Sequence, residues 1–166
     1  MPRPTFPTLA QVQALPLMLR KTIPETYQDI NGHMNIQYYY AVYDEAGMPF
    51  FAHFGITDDY FTVQRKGIFD LEHHVHYLAE VHVGDTVAVH SRLLGRTAKR
   101  VHGIWFLVNE TRQQLANTFE FVSSHADLEA RRTSPFGDEL GAKFDTEIAR
   151  HTQLDWDAPI SGIMKP

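Results

Sequence analysis

The stretch TYQDINGHMNIQYYYAVYDEAG, residues 26–47, joins an extended segment to a helix that carries many polar groups at its start. From Ile36 onward, apolar and aromatic residues recur every three to four positions over several turns. This spacing predicts a long α-helix with a broad apolar face, bent or ended near Pro49. Asn35 is a residue type favoured as a helix N-cap, and Gly55 is suited to a C-cap.

Downstream of this helix the hydrophobic period changes from 3.6 to 2, which predicts strands. In GIFDLEHHVHYLAEV, residues 67–81, the alternation assigns one face to Phe69, Leu71, His73, Val75 and Tyr77. The other face of that strand receives Asp70, Glu72, His74 and His76. Three further strands are predicted in DTVAVHSRLLGR, VHGIWFLVNE and QLANTFEFVSSHA.

The order of these elements predicts an α+β fold. An extended segment at residues 17–27 is followed by one long helix and a meander of strands, so a curved antiparallel sheet can wrap around a single apolar helix. The first strand joins the sheet by a crossover. This is the hotdog architecture, predicted here over residues 17–136, with a proline-rich arm at 1–16 and a helix and tail at 137–166.

The composition of the chain limits its function classes. Cysteine is absent, which excludes disulfides, thiolate metal sites and a cysteine nucleophile. A formal net charge of −5 argues against general binding to nucleic acid. No apolar run is long enough for a secretion signal or a membrane span, so we expect a soluble, cytoplasmic protein without membrane contacts.

The turn DINGHMN, residues 29–35, is the strongest candidate for a catalytic site. Asp29 precedes a glycine-containing turn, and the first N–H groups of the helix, near Ile36, have no partner within the helix. A carboxylate beside such donors supplies a base or nucleophile and hydrogen bonds to a developing oxyanion, as acyl transfer requires. Gly32 leaves room for a substrate carbonyl near the backbone. The alternative is a structural turn in which Asp29 and Asn35 only cap free N–H groups.

The same turn, with Tyr38 and the DEAG of residues 44–47, resembles the signature of the 4-hydroxybenzoyl-CoA thioesterase-like family of hotdog acyl-CoA thioesterases. YLAEVHVGDTVAV and LEARRTSPF resemble two further segments of that family, so the resemblance covers roughly residues 20 to 136. It implies hydrolysis of an acyl-CoA to a carboxylic acid and coenzyme A, with no metal or redox cofactor. The family builds its sites between subunits, which predicts a homodimer or homotetramer.

The resemblance also implies roles for individual residues. The family's catalytic acid falls on Asp29, its tight turn on Gly32 and its oxyanion-binding N–H near Ile36. His33 and Asn35 match the branch that carries Gly-His-x-Asn, and we assign His33 a positioning hydrogen bond. Family members use the acid either as a nucleophile or as a general base, so both routes stay open here.

Other acids and the acyl pocket are less closely defined by the sequence. Glu45, with Asp44 beside it on the helix, is an alternative acid. The helix tyrosines cannot all face its core, and the candidates for the acyl pocket are Tyr38, Tyr39, Tyr43 and His73. Tyrosine faces bind quaternary ammonium groups, and the turn with its tyrosine run resembles thioesterases linked to carnitine breakdown. Aromatic, short aliphatic and cationic acyl groups such as betainyl therefore all stay open.

The turn LLGRTAKR, residues 93–100, is basic in an otherwise acidic protein. It contributes Arg96, Lys99 and Arg100, with Arg92 shortly before it. We expect these side chains to bind the phosphates of coenzyme A, because a local positive patch attracts an anion that the net charge repels. The alternative is a hairpin tip that is charged only for solubility.

Two other classes of protein compete with a thioesterase. Glu72, His74 and His76 alternate along one strand face, as ligands of a mononuclear metal site would, and favour a metal-dependent cupin-like enzyme. Against this alternative, the second metal-binding motif of cupins does not follow and cupins lack a long apolar helix, so we assign no metal. The other alternative is a non-catalytic hotdog module that binds acyl-CoA, but the acid at Asp29 favours an enzyme.

Overall fold

One long helix and an antiparallel sheet organise the protein, whose computed structural model describes residues 4–166. Residues 1–3 of the predicted arm lie outside the described residues. The elements are α1 (Leu9–Gln13), β1 (Leu17–Thr22), α2 (Ile36–His53), α3 (Asp58–Thr62), β2 (Lys66–Tyr77), β3 (Thr86–Arg96), β4 (Arg100–Asn109), β5 (Gln114–Asp127), β6 (Arg132–Thr133) and α4 (Asp138–Thr152). A single 3-10 turn at Glu25–Tyr27 precedes α2.

The strands lie in the order β1-β3-β4-β5-β2, and each neighbouring pair is antiparallel. Strand β1 reaches β3 by the predicted crossover, and the short β6 extends beside the end of β5. Helix α2 buries its apolar side in the main core cluster with residues from these strands. The predicted α+β hotdog fold is therefore confirmed.

Helix α2 begins at Ile36 with Asn35 as its N-cap, as the sequence predicts. Its buried residues recur at helical spacing and are Tyr39, Val42, Tyr43, Ala46 and Phe50. The helix does not end near Pro49, which was one of the two predicted outcomes; it continues to His53. Pro49 lies on the exposed side. Phe54, rather than Gly55, is the residue that closes the helix, and Gly55 follows with a φ of +79°.

Strand β2 contains an irregularity that the alternating sequence does not reveal. Asp70 pairs with Ser123 and Glu72 pairs with Val122, so Leu71 is the extra residue of a bulge. Because side chains alternate with a period of 2, one extra residue transfers the preceding residues to the opposite face.

The bulge corrects the predicted faces of β2. Upstream of it, Ile68 packs against the main core and Asp70 lines a cavity beside α2, whereas Phe69 is 67% exposed on the other side. Downstream of it, His73 lines the same cavity as Asp70. Phe69 and Leu71 therefore do not share a face with His73, and Asp70 does.

The outer face of the sheet carries a second apolar cluster around Phe106 and Ile104. Helix α1 and the segment that follows α4 cover this cluster with Val12, Leu154 and Trp156. Within residues 4–166, no helix is both long and apolar enough to cross a membrane.

Candidate active site

The turn between the extended segment and α2 is fixed by its own backbone. The N–H of Asp29 donates to the His33 carbonyl at 3.0 Å, and the N–H of Gly32 donates to the Asp29 carbonyl at 3.2 Å. The Met34 N–H donates to Val81 at 2.7 Å and ties the turn to the segment after β2. Gly32 has a φ of +87°, so glycine is required here by backbone conformation. No heavy atom lies closer than 3.8 Å to the position of a Cβ at Gly32.

The start of α2 leaves one N–H group without an acceptor. The side chain of Asn35 accepts from the Gln37 N–H at 3.1 Å, and the Asn35 carbonyl accepts from the Tyr38 N–H at 3.0 Å. The N–H of Ile36 has no acceptor within residues 4–166. Asn35 thus acts as a cap, and the free donor at the positive end of the helix lies at Ile36.

The Asp29 carboxylate lies in this turn, with its side chain 14% exposed. It accepts from the Asn31 N–H at 2.7 Å, and its other oxygen lies 3.7 Å from Nδ1 of His33. Burial raises the pKa of the Asp29 carboxyl, but the Asn31 N–H, the charge of His33 and the Asn31 amide together lower it below the ordinary value of 3.8. The carboxylate is therefore ionised near neutral pH.

His33 lies beside Asp29 but forms no hydrogen bond with its carboxylate. Its Nδ1 is 3.3 Å from the Met34 carbonyl oxygen and 3.7 Å from the Asp29 carboxylate. The neighbouring His82 holds the turn from the other side, with Nδ1 3.2 Å from the Gly32 carbonyl. The sequence analysis did not single out His82, because nothing in its local pattern marks a contact 50 residues away.

The alternative acid, Glu45, lies away from this turn. Its carboxylate forms an ion pair with Lys21 of β1 and accepts from the Tyr27 hydroxyl at 3.1 Å. These contacts tie α2 to the first strand. Glu45 thus has a structural ion pair, and its role as the alternative acid stays a prediction.

Two of the cavities beside α2 contain residues of the predicted site. The first, which we call the helix-start pocket, has a volume of about 380 Å³ and is lined by His33, Ile36, Tyr39, Tyr77, Leu78 and Glu80. Burial raises the pKa of Tyr39 to about 12, with further contributions from Tyr77 and Glu80, so this hydroxyl stays neutral. The second, which we call the central cavity, has a volume of about 570 Å³; its lining includes Tyr40, Tyr43, Asp44, Asp70, His73 and Trp105.

The predicted pocket residues divide between these cavities. Tyr39 lines the helix-start pocket, whereas Tyr43 and His73 line the central cavity. Tyr38 lines neither cavity; its ring stacks on Tyr27 with centroids 4.0 Å apart, and its assignment to the acyl pocket stays a prediction. Tyr40 lines the central cavity, although the sequence analysis did not assign it there.

Two of the four predicted phosphate-binding residues are engaged elsewhere. Arg92 is 7% exposed; it donates to the Trp156 and His151 carbonyls at 2.9 and 3.2 Å and lies over the Trp156 ring. Arg96 donates to both oxygens of Asp145 on α4, at 2.7 and 2.5 Å. These arginines hold the C-terminal segment on the sheet, which contradicts a role in phosphate binding.

The other two, Lys99 and Arg100, are exposed at the turn between β3 and β4. Their backbone continues the sheet, since the Lys99 carbonyl accepts from the His125 N–H at 2.7 Å. Because both side chains are exposed, they are accessible to an anion.

The strand face proposed for a metal lies on the outer side of the sheet. Nε2 of His74 is 3.4 Å from Nε2 of His76, but within residues 4–166 no three His, Asp or Glu side chains are grouped to hold a metal ion. The sheet wrapped around a helix is also not a cupin barrel, so the fold contradicts the cupin-like alternative.

Comparison with known proteins gives matches over most of the chain. The Thioesterase-like superfamily matches residues 24–144. The betainyl-CoA thioesterase of Pseudomonas aeruginosa is 30% identical over 132 residues, which cover 80% of this chain and 82% of that protein. The L-carnitine dehydrogenase/betainyl-CoA thioesterase of Agrobacterium fabrum is 34% identical over 105 residues, 63% of this chain but only 21% of that longer protein.

Solved structures share the fold at lower identity. The SAV2348 protein of Staphylococcus aureus, in complex with CoA, superposes with a TM-score of 0.79 at 21% identity and covers 92% of this chain and 96% of its own. Slr0204, a 1,4-dihydroxy-2-naphthoyl-CoA thioesterase from Synechocystis, gives a TM-score of 0.66 at 15% identity, with 84% and 97% covered.

Proposed function

The chain belongs to the Thioesterase-like superfamily and is a thioester hydrolase, and from this premise we propose that it hydrolyses acyl-CoA to a carboxylic acid and coenzyme A. The observation that carries the proposal is the start of α2, where the ionised Asp29 lies in the turn that leads to a free Ile36 N–H. A reaction at a thioester carbonyl needs both groups, since one supplies electrons and the other stabilises the oxyanion.

In the proposed mechanism the thioester carbonyl oxygen accepts the Ile36 N–H. This donor is fixed before the reaction, so it stabilises the negative charge that develops on that oxygen. Asp29 then either attacks the acyl carbon or orients and deprotonates a water that attacks it. In both routes the C–S bond breaks, the sulfur leaves as the thiolate of coenzyme A and takes up a proton, and water supplies the oxygen of the acid. Water is the only co-reactant, so no cofactor is needed.

The lowered pKa of Asp29 bears on these two routes. An ionised carboxylate can act as a nucleophile without first losing a proton. As a general base it is weak, because its pKa lies below the ordinary value of 3.8 and far from neutral pH. A lowered pKa also weakens the carboxylate as a nucleophile, so both routes stay part of the proposal.

We propose Lys99 and Arg100 as ligands of the coenzyme A phosphates of a neighbouring subunit. Their turn lies beside His125, which pairs with Ile68 near the start of β2. The helix start lies beside Val81, just beyond the end of β2. At about 3.3 Å per residue, the strand spans about 30 Å from Ile68 to its end at Tyr77. The turn is therefore too far from Asp29 of its own chain.

A homodimer that pairs through β2 would place Lys99 and Arg100 of one subunit near Asp29 of the other. Strand β2 is an edge of the sheet, with β5 as its neighbour, and its outward residues include Phe69 at 67% exposure and Leu71 at 41%. An edge strand of 12 residues is expected to pair, since unpaired strand edges aggregate. Antiparallel pairing of two β2 strands brings the start of one strand close to the end of the other.

The acyl group is proposed from the relatives. Two of them are named as betainyl-CoA thioesterases, and the betainyl group ends in a trimethylammonium cation. We propose a short cationic acyl group of this kind as the preferred substrate.

Release of coenzyme A from a panel of acyl-CoA substrates tests the proposed function. The panel contains short aliphatic, long aliphatic, aromatic and betainyl groups, and a thiol reagent reports the product. Because the chain contains no cysteine, the protein itself does not react with the reagent. We expect turnover well above the rate without protein for at least one substrate, with acid and thiol formed in equal amounts. Binding of acyl-CoA without release of thiol would instead indicate the non-catalytic module.

A further inference from the structure

The central cavity has the chemistry of a site for an organic cation. Aromatic rings form most of its walls, including those of Tyr40, Trp105 and Phe119. Two carboxylates, Asp44 and Asp70, also line it, and its lining within residues 4–166 includes no Lys or Arg. Ring faces and carboxylates both attract a positive charge, and a quaternary ammonium group needs no hydrogen-bond acceptor.

Asp70 is held in place at the wall of this cavity. The bulge in β2 turns it toward α2, where it accepts from the Ser123 hydroxyl at 2.5 Å and lies 3.4 Å from Nε2 of His73. Burial raises the pKa of Asp70, but the neighbouring His73 and the hydrogen bond from Ser123 lower it below its ordinary value. Asp70 therefore carries its negative charge near neutral pH.

The rings are fixed by one another. Tyr40 meets Phe119 edge to face, with centroids 5.3 Å apart, and Tyr43 packs against both Phe119 and Trp105. Trp105 is 8% exposed, and its Nε1 has no hydrogen-bond partner within residues 4–166. This donor takes no part in holding a quaternary ammonium group, which has no hydrogen-bond acceptor.

The central cavity begins one helical turn beyond the helix start, along one stripe of α2. Ile36, Tyr40 and Asp44 follow one another at intervals of four residues, so they lie on the same face of the helix. Tyr40 is one turn, about 6 Å, beyond the Ile36 N–H. The side chains of a helix point back toward its N-terminus, which brings the Tyr40 ring and the Asp44 carboxylate closer to that N–H. A short acyl group held at Ile36 has Tyr39 and Tyr77 beside it, and the Tyr40 ring one turn further along the helix.

We propose that the central cavity selects acyl groups with a quaternary ammonium end, which Tyr40 holds by its ring face and Asp44 and Asp70 by their charge. This assignment rests on the proposed function, because it places the acyl group of the substrate. It adds residues that determine specificity and that take no part in breaking the thioester bond.

A matched pair of substrates tests the assignment. Betainyl-CoA and 3,3-dimethylbutanoyl-CoA have acyl groups of nearly the same shape, and only the first carries a charge. We expect the wild-type kcat/KM for betainyl-CoA to be higher by about thirtyfold, from the contact of the cation with a ring face together with its attraction to two carboxylates. The Asp44→Asn, Asp70→Asn double variant is expected to reduce this ratio to about threefold or less, mainly through betainyl-CoA.

Variants of Tyr40 and a distant carboxylate complete the test. Tyr40→Phe keeps the ring and should keep most of the preference, whereas Tyr40→Leu should lower it by about tenfold. Asp155→Asn changes an exposed carboxylate outside the cavity and should behave as wild type.

Each outcome separates this assignment from the proposed function. Equal hydrolysis of the two substrates by wild type would overturn the assignment and leave acyl-CoA hydrolysis standing. A preference for betainyl-CoA that survives in the double carboxylate variant would likewise overturn it, since the cation would then be recognised elsewhere. Hydrolysis of neither member of the pair, with turnover of other acyl-CoA substrates, also overturns it. Absence of turnover with every acyl-CoA would overturn the proposed function itself.

Discussion

Replacing Asp29 by Asn is expected to lower kcat for acyl-CoA hydrolysis by about a hundredfold or more, with little change in KM. Asparagine keeps the shape of the side chain, and its oxygen can still accept from the Asn31 N–H, so the turn should remain folded. The variant loses the negative oxygen that is proposed to attack the acyl carbon or to deprotonate the attacking water. Steady-state release of coenzyme A measures the effect, and unfolding by heat shows whether the turn is intact.

Glu45→Gln is the matched control for Asp29→Asn. Glu45 is the other acid considered for this reaction, and its ion pair with Lys21 ties α2 to β1. We expect kcat of Glu45→Gln to stay within about threefold of wild type, since this carboxylate does not meet the substrate. An Asp29→Asn enzyme that retains wild-type activity, with a large loss in Glu45→Gln, would reverse the two assignments.

The pH dependence of the wild type follows from the same group. The active form of Asp29 is the carboxylate, and its pKa lies below the ordinary value of 3.8, so activity is lost only as pH falls through that lowered pKa. Between about pH 7 and 5, titration of Asp29 should therefore cause no decline in kcat. A decline in that range that disappears in Asp29→Asn would contradict the lowered pKa.

Replacing Ile36 by Pro is expected to lower kcat by about a hundredfold to a thousandfold, because it removes the N–H that the oxyanion accepts. Proline is well suited to the first position of a helix, where its missing N–H breaks no helical hydrogen bond. The residue before it must be extended, and Asn35 already has φ −62° and ψ 145°. The substitution thus removes the proposed donor while the backbone stays compatible with the fold.

Ile36→Ala separates the N–H from the side chain. The Ile36 side chain is 62% exposed in the described chain, so its loss should cost little stability, and the alanine variant keeps the backbone donor. We expect kcat of Ile36→Ala to lie within about fivefold of wild type. Equal losses in the alanine and proline variants would show that the side chain matters and the N–H does not.

The sequence predicts the features that depend on local pattern. The helical spacing from Ile36, the cap at Asn35 and the change to a period of 2 after the helix define α2 and the meander, and the structure confirms them. The turn around Asp29 follows from the same local rules. Its positive-φ glycine and the unpaired first N–H of the helix both depend on residues within a few positions of Asp29.

The features that the sequence misses depend on contacts between distant segments. The bulge at Leu71 arises from pairing with β5, and without it the alternation assigns Asp70 to the wrong face. Arg92 and Arg96 look like part of a basic turn, but the C-terminal segment folds back and binds them through Trp156 and Asp145. Local patterns carry no information about such pairings. The sequence therefore groups Arg92 and Arg96, which have structural partners, with Lys99 and Arg100 as candidate ligands of phosphate.

The central claim is that Asp29 and the Ile36 N–H act together on one thioester carbonyl, and kcat of the Asp29→Asn, Ile36→Pro double variant tests it most directly. Groups that act as a unit in one transition state give losses that do not multiply. The account predicts a double variant within about tenfold of the slower single variant, with acyl-CoA binding retained. A loss equal to the product of the two single losses would show that the two groups act independently, and would contradict a shared site at the start of α2.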